Sequence, residues 1–259
     1  MKPETAARLL EINRRFYSEC GESFAATRRR IQPGIRRVLD EWISLETSQD
    51  WLDLGCGSGA LGQVWAADER KGTYTGIDFS GPALEQARRE TEPLSNETLL
   101  LRYIQGDLMD PRWADGLASS SFDGILAFAS LHHIPGEANH RRIFQDAARL
   151  LKPGGQFIFS VWQFQNSPKL LERVRPWSDA GIEAAELEPG DSLLDWRSGT
   201  NGLRYVHLFS EESLRNLAED SGFQVEDVFY SDGKEGNLAL YMRTFIAPSI
   251  EYGGIMRKM

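Results

Sequence analysis

The feature that most constrains the fold is an alternation of short apolar runs with helical patterns, beginning at Trp51. Runs of strand length occupy residues 51–54, 74–77, 99–104, 122–127 and 156–161. Helical spacing marks residues 82–89 and 140–151, and Lys152-Pro153-Gly154-Gly155 is predicted to form a C-cap and a turn. Alternating strands and helices build a parallel sheet covered on both faces. We therefore predict a doubly wound α/β sheet that binds ligands at the carboxyl ends of its strands.

The segments outside this alternation predict additions to a single domain of 259 residues. Apolar residues at helical spacing, broken at Pro33-Gly34, predict two helices within residues 1–48, ahead of a core at 49–162. Residues 163–204 contain three prolines and two tryptophans, and they are predicted to form an insertion over the strand ends that acts as a substrate lid. Residues 205–259 then carry a helix at 211–221 and strands at 223–230 and 238–245.

Composition narrows the classes of function. The net charge of −9 disfavours a polyanionic partner, although residues 1–38 carry nine basic and four acidic side chains. Cys20 and Cys56 are too few for a disulfide framework or a four-cysteine zinc site, so no metal is expected. No run approaches the roughly 18 apolar residues of a membrane span, and we expect a cytoplasmic protein without a membrane partner.

The first predicted strand leads into a glycine loop, Asp53-Leu-Gly-Cys-Gly-Ser-Gly59, followed by a helical pattern. Glycines allow backbone to approach a ligand closely, and the start of a helix offers unpaired N–H groups. Asp78 ends the next strand, where a carboxylate can accept ribose hydroxyls, and Asp107 ends the third. The same spacing serves NAD enzymes, but the loop reads G-C-G-S-G rather than G-x-G-x-x-G.

Together with S-F-D-G-I-L-A-F-A-S-L-H-H-I and R-L-L-K-P-G-G, these segments resemble the ordered motifs of class I methyltransferases that use S-adenosylmethionine (SAM) and release S-adenosylhomocysteine. The resemblance covers residues 51–161 and implies a cofactor-binding role for eleven residues. They are Asp53, Gly55, Cys56, Gly57 and Gly59 for the methionine moiety, Asp78 for the ribose, Phe79, Asp107 and Leu108 for the adenine, and Ala127 and Phe128 for the amino group. A non-catalytic SAM-binding scaffold is the alternative within this fold.

Two histidines follow the fourth predicted strand, where the methyl group should project. Methyl transfer needs mainly alignment of the nucleophile and exclusion of water, so a dedicated base is optional. Either His132 or His133 could position or deprotonate a substrate, and we favour His132.

A closer resemblance connects the chain to methyltransferases that esterify the carboxymethyl group on the wobble uridine of tRNA. It is carried by Phe16-Tyr17, by Phe24-Ala-Ala-Thr-Arg28, by Ser160-Val161-Trp162 and by Arg204-Tyr-Val-His-Leu-Phe209. It implies that Arg28, His132, Trp162 and His207 face the substrate, and that a small activating protein takes part.

The chain departs from that family's pattern in two places, at Arg29-Arg30-Ile31-Gln32-Pro33 and at residues 232–237. Both segments lie where RNA or a partner protein would bind. A small-molecule acceptor under the 163–204 lid therefore stays as the alternative to tRNA.

Overall fold

The computed structural model describes residues 1–26, 31–196, 202–231 and 243–250, with side chains described for all of these except 20–26 and 243–250. Its helices are α1 (Pro3–Ala26), α2 (Pro33–Trp42), α3 (Ala60–Ala67), α4 (Gly81–Thr91), α5 (Glu137–Leu150), α6 (Pro168–Leu171) and α7 (Glu211–Asp220). Its strands are β1 (Gln49–Leu54), β2 (Gly72–Asp78), β3 (Leu99–Gln105), β4 (Phe122–Phe128), β5 (Leu151–Trp162), β6 (Val174–Arg175), β7 (Asp191–Trp196), β8 (Gly202–His207), β9 (Phe223–Tyr230) and β10 (Arg243–Ile250).

The central sheet confirms the predicted doubly wound α/β architecture. Across the described residues its strand order is β3-β2-β1-β4-β5-β10-β9, parallel from β3 to β5, with β10 antiparallel to both its neighbours. The chain passes from β1 outward to β3 and then returns to β4 on the other side of β1. This reversal opens a crevice between the carboxyl ends of β1 and β4, where sheets of this kind bind ligands.

Each face of the sheet carries an aromatic core. On one face Phe144 of α5 packs with Phe157 and Phe159 of β5, and on the other Trp51 of β1 packs with Trp65 of α3. Burial on both faces explains why the strands appear in the sequence as continuous apolar runs rather than as alternating ones.

The prediction of a C-cap and a turn at residues 152–155 was wrong, because these residues belong to β5. Phe122 of β4 pairs with Leu151, but Gly124 already pairs with Gln156, so the extra residues of β5 form a bulge in the ladder. Gly154 has a φ of +74°, which glycine adopts without strain. A bulge and a turn share the same glycine-rich sequence signal, so the sequence could not separate them.

The insertion after β5 folds into a second sheet, β6-β7-β8, which is antiparallel throughout. Its predicted end at residue 204 falls within β8, since the pairing of Asp191 with His207 carries the ladder three residues further. The continuous ladder sets the limit of this unit, and no composition change marks it.

Helix α1 is fastened to this second sheet by a buried side chain. The backbone N–H of Tyr205 donates to Oδ1 of Asn13 at 2.8 Å, and Nδ2 of Asn13 donates to the carbonyls of Tyr205 and His133, each at 3.1 Å. Thr5 also donates to Glu186 at 3.0 Å. We call α1 together with β6–β8 the cap. No helix within the described ranges has the length and apolar character that crossing a membrane requires.

Candidate functional site

The glycine loop after β1 is built on positive φ angles that other residues rarely adopt. Gly55, Gly57 and Gly59 have φ of +79°, +55° and +81°. A Cβ on Gly55 would lie 2.7 Å from Cβ of Ser130, whereas a Cβ on Gly57 would meet no described atom within 4 Å. The loop therefore packs tightly against the end of β4 at Gly55 and leaves open space at Gly57, as a cradle for a ligand requires.

Cys56 contributes to this loop through its backbone and through a buried thiol that donates to the carbonyl of Gly57 at 3.8 Å. Its N–H donates to the carbonyl of Ile77 at 3.0 Å. Its side chain is buried against Gly76, where an added Cβ would lie only 2.7 Å from Sγ of Cys56. Burial raises the pKa of the thiol far above its ordinary range. Cys56 thus shapes the cradle but does not present its side chain to a cofactor.

Asp53 lies beneath the cradle. Its carboxylate is 4% exposed and accepts a hydrogen bond from the hydroxyl of Tyr74. Burial raises its pKa from the ordinary value of 3.8 to about 7, and the nearby charge of Asp78 adds to the rise. Asp53 therefore changes its charge near neutral pH, where a cationic ligand group would favour the ionised form.

Asp78 closes the loop from the side of β2. Its Oδ2 accepts the N–H of Gly57 and its Oδ1 the N–H of Ser80, both at 2.9 Å. Each oxygen has a second lone pair, so the same carboxylate can also accept two hydroxyls. Burial raises the pKa of Asp78, and the backbone hydrogen bonds offset part of the rise. The ring of Phe79, 39% exposed, follows directly and suits packing against a planar group.

Asp107 starts a tight turn after β3. Its Oδ1 accepts the N–H of Met109 at 2.9 Å, and Leu108 beside it is buried. Nη2 of Arg142 donates to the carbonyl of Leu108 at 2.8 Å, with longer contacts to the carbonyls of Met109 and Asp110. Arg142 thereby fixes the turn that carries Asp107.

The end of β4 borders the cradle. The pairing of Asp53 with Leu126 sets Ala127 and Phe128 beside the loop, and Ala127 is fully buried. Ala129 then has a φ of +56°, an uncommon conformation for a residue with a Cβ. Its N–H donates to the carbonyl and to Oγ of Ser160, at 3.0 and 3.1 Å, which holds the strained turn in place.

Aromatic rings assemble beyond β4 and β5. The ring centroid of His132 lies 4.9 Å from that of Trp162 and 4.3 Å from that of His133. Tyr17 of α1 lies 5.8 Å from His133 and 6.1 Å from Phe79, which links this cluster to the cofactor side. His132, the residue favoured from sequence, is fully buried, while His133 is partly exposed. The structure thus brings His132 and Trp162, two of the predicted substrate residues, together.

Arg204 belongs to this cluster, although sequence reasoning singled out His207 instead. The guanidinium carbon of Arg204 lies 4.8 Å from the ring centroid of Trp162, 4.9 Å from that of Phe16 and 5.3 Å from that of Trp196. Arg204 is only 1% exposed. The guanidinium of an arginine is a planar fork of donors whose geometry fits a carboxylate.

His207 lies on the other face of β8, so the structure does not bring it together with His132 and Trp162. Successive side chains of a strand alternate between faces, and residues 204 and 207 are an odd number of positions apart. His207 Nδ1 lies 2.9 Å from Oδ1 of Asp191, and its ring packs against His140 and Phe209. Arg28, the remaining predicted substrate residue, lies outside the described residues.

The position of Asp53 leads to a prediction about pH. If Asp53 serves the ammonium of the methionine moiety, SAM affinity should rise about tenfold between pH 6 and pH 8, because the neutral carboxyl with a pKa of about 7 must ionise on binding. Asp53→Asn should remove this rise, and calorimetric titration of both proteins measures it. Equal pH profiles for the two proteins would contradict the assignment.

The same pKa shift affects stability. Because the unfolded state releases the Asp53 proton near pH 4 and the folded state near pH 7, folding stability should fall as pH rises through this window. Asp53→Asn should flatten this slope in thermal unfolding measured without SAM.

Comparison with known proteins identifies the family that carries this site. A family model described as a methyltransferase domain matches residues 24–228. A putative methyltransferase from Encephalitozoon cuniculi is 32% identical over 82% of this chain and 87% of its own length. A probable tRNA methyltransferase 9B from Homo sapiens is 25% identical over 63% of this chain but only 32% of its own, and a fatty-acid O-methyltransferase from Mycolicibacterium smegmatis is 30% identical over 42% and 35%.

Solved structures agree on the fold. A SAM-dependent methyltransferase from Clostridium acetobutylicum has a TM-score of 0.65 at 16% identity, over 90% of this chain and all of that one. A putative methyltransferase from Haloferax volcanii, solved in complex with the Trm112 methyltransferase activator, has a TM-score of 0.60 at 17% identity, over 95% and 100%. These findings set aside the NAD-binding and non-catalytic alternatives. The chain belongs to the methyltransferase-domain family and is a class I enzyme that uses SAM as its methyl donor.

Proposed function

We propose that this methyltransferase esterifies a carboxylate, and that the carboxylate is the carboxymethyl group of a wobble uridine in tRNA. The observation that carries the proposal is the position of Arg204. Its guanidinium lies against Trp162, in the ring cluster that also holds His132, at the carboxyl ends of β4 and β5. A buried arginine beside stacked rings suits an acceptor that combines a planar base with an anionic group.

The cofactor assignment on which this rests uses the geometry of the cradle. Asp78 would accept the ribose hydroxyls through its remaining lone pairs, and Phe79 would cover the adenine. Asp107 would accept the exocyclic amine of adenine. The open space at Gly57 and the carboxylate of Asp53 would take the methionine moiety.

The transfer itself requires no base when the acceptor is a carboxylate. SAM supplies a methyl group activated by its sulfonium; an acceptor oxygen forms the new C–O bond as the S–CH₃ bond breaks, with the electron pair left on sulfur. Arg204 would orient the acceptor oxygen, and the cap would exclude water. His132 and Trp162 would then position the acceptor and not remove a proton.

Two relatives act, by name, on molecules compatible with this chemistry. One is a probable tRNA methyltransferase and the other a fatty-acid O-methyltransferase, whose acceptor is itself a carboxylate. The excess of basic residues in segment 1–38 favours tRNA over a fatty acid, since arginines there can neutralise phosphates near the site despite the net charge of −9. A small carboxylic acid held under the cap is the second candidate.

A small activating protein would be the partner of this enzyme. The Haloferax volcanii neighbour was solved with such an activator. In the described sheet β3 forms an edge, and it exposes Leu100 and Ile104 at 49% and 38% of their surface. An open edge strand with apolar side chains is suited to pairing with another chain, so we assign the partner to β3.

The substrate is tested by fractionation. The enzyme, alone and with candidate activators, is given SAM labelled in its methyl group and either tRNA or the low-mass fraction of the same extract. We expect label in tRNA, and less of it with Asp78→Ala when SAM is below saturation. Label confined to the low-mass fraction with every activator would refute the tRNA assignment and favour a small carboxylic acid.

A further inference from the structure

Helix α1 crosses the side of the cofactor crevice that is assigned to adenine. Nη2 of Arg14 lies 2.5 Å from Oδ2 of Asp107, and the ring of Tyr17 meets the ring of Phe79 edge to face at 6.1 Å. Arg14 and Tyr17 are three residues apart and share one face of α1. One helix therefore contacts both of the side chains that we assign to the adenine.

Hydrogen bonds to β8 hold α1 in this position. Asn13, next to Arg14, is buried and bonds both backbone groups of Tyr205 in β8. Arg14 itself is 46% exposed and Asp107 is 28% exposed, so their ion pair lies at the solvent boundary. The pair can therefore open without moving the buried Asn13 anchor.

A cavity of about 590 Å³ lies directly outside this ion pair. Its lining includes Leu10, Arg14, Asp107, Met109, Asp110 and Asn139, so it spans the space between α1, the turn after β3 and the start of α5. It reaches solvent on one side and Asp107 on the other. The ion pair therefore borders this open space.

We propose that Arg14 competes with the adenine of SAM for Asp107, so that the Arg14–Asp107 ion pair is the closed state of the cofactor site. Oδ1 of Asp107 already accepts the N–H of Met109, so Oδ2 is the oxygen that faces an external donor. In the closed state Oδ2 accepts from Arg14, and the adjacent positive charge makes it a poorer acceptor for the adenine amine. Oδ2 keeps a second lone pair, so the ion pair weakens the contact with adenine rather than blocking it, and SAM binds more tightly when the pair opens. The inference rests on the assignment of Asp107 to adenine.

The matched experiment compares Arg14→Gln with Arg15→Gln. Arg15 is the neighbour on the same helix, exposed, and paired only one turn away with Glu19 among the contacts described. Arg14→Gln should bind SAM about two- to fivefold more tightly than wild type, because this change in affinity corresponds to the free energy of an exposed ion pair. Arg15→Gln should bind SAM with the affinity of wild type. Calorimetric titration of the full chain measures both, with thermal unfolding as the check on folding.

Two further variants distinguish the competition by Arg14 from the contact between Asp107 and adenine on which it rests. Asp107→Asn should weaken SAM binding, and adding Arg14→Gln to it should have no further effect, because the two residues act through one contact. Unchanged affinity in Asp107→Asn would remove the adenine assignment itself. Weaker binding in Asp107→Asn with unchanged or weaker binding in Arg14→Gln would keep the assignment and overturn the competition.

Discussion

Asp78→Ala is expected to lower the affinity for SAM by about 10- to 150-fold, which corresponds to the roughly 1.5–3 kcal/mol of hydrogen bonds to a charged group. The carboxylate would lose its bonds to the ribose, and Gly57 would lose the acceptor that holds its N–H at 2.9 Å. The substitution therefore removes contacts with the ligand and also alters the shape of the glycine loop. Calorimetric titration with SAM and with S-adenosylhomocysteine measures the effect.

Two further variants make this result specific. Asp78→Asn keeps the shape of the side chain and one acceptor oxygen, so its loss of affinity should be smaller. Glu85→Ala removes an exposed acid from α4 and should bind SAM normally. If Asp78→Ala folded and bound SAM as tightly as wild type, the ribose would be held elsewhere and the placement of the cofactor would be wrong.

Arg204→Met is expected to lower kcat/KM by about 30-fold or more while the affinity for SAM stays unchanged. Removing one member of a buried charged pair costs about 2–5 kcal/mol, and the proposed pair is the one that Arg204 would form with the acceptor carboxylate. Methionine retains apolar volume against Phe16, Trp162 and Trp196, which limits damage to the cap. Steady-state methyl transfer, with titration of SAM in parallel, measures both quantities.

His207→Ala provides the matched control, because His207 lies on the same strand but faces Asp191 and His140. It should lower the thermal stability of the cap more than it lowers turnover. Arg204→Lys should recover part of the activity, since lysine keeps the charge but not the two-pronged geometry. If His207→Ala lost as much turnover as Arg204→Met, the acceptor would lie on the opposite face of β8.

The parts of the fold that the sequence predicted are those fixed by local pattern. Strands buried on both faces, such as β1 and β4, leave continuous apolar runs, and three glycines with positive φ leave a loop that few other residues could form. The acids Asp53, Asp78 and Asp107 then follow at strand ends, which converge in space because the strands are parallel. Order along the chain was therefore enough to place them at one crevice.

The parts that were missed depend on which way a side chain points or on contacts distant in sequence. Cys56 lies in the loop but faces the core, and His207 lies in a family-like segment but on the wrong face of β8. The contact of Arg14 with Asp107 joins residues 93 positions apart, and no local pattern signals it. Arg204 begins the family-like segment 204–209, yet no local pattern distinguishes it, and its proposed role depends on its contact with Trp162.

Treatment of the methylated product with base tests directly whether the acceptor is a carboxylate. The product of a reaction with methyl-labelled SAM is treated with mild base, which hydrolyses methyl esters to methanol but leaves methyl groups on nitrogen, carbon or ether oxygen in place. The carboxylate assignment predicts that the label is released quantitatively as volatile methanol, from tRNA and from any small acid alike. Label that stays bound to the acceptor after this treatment would contradict it.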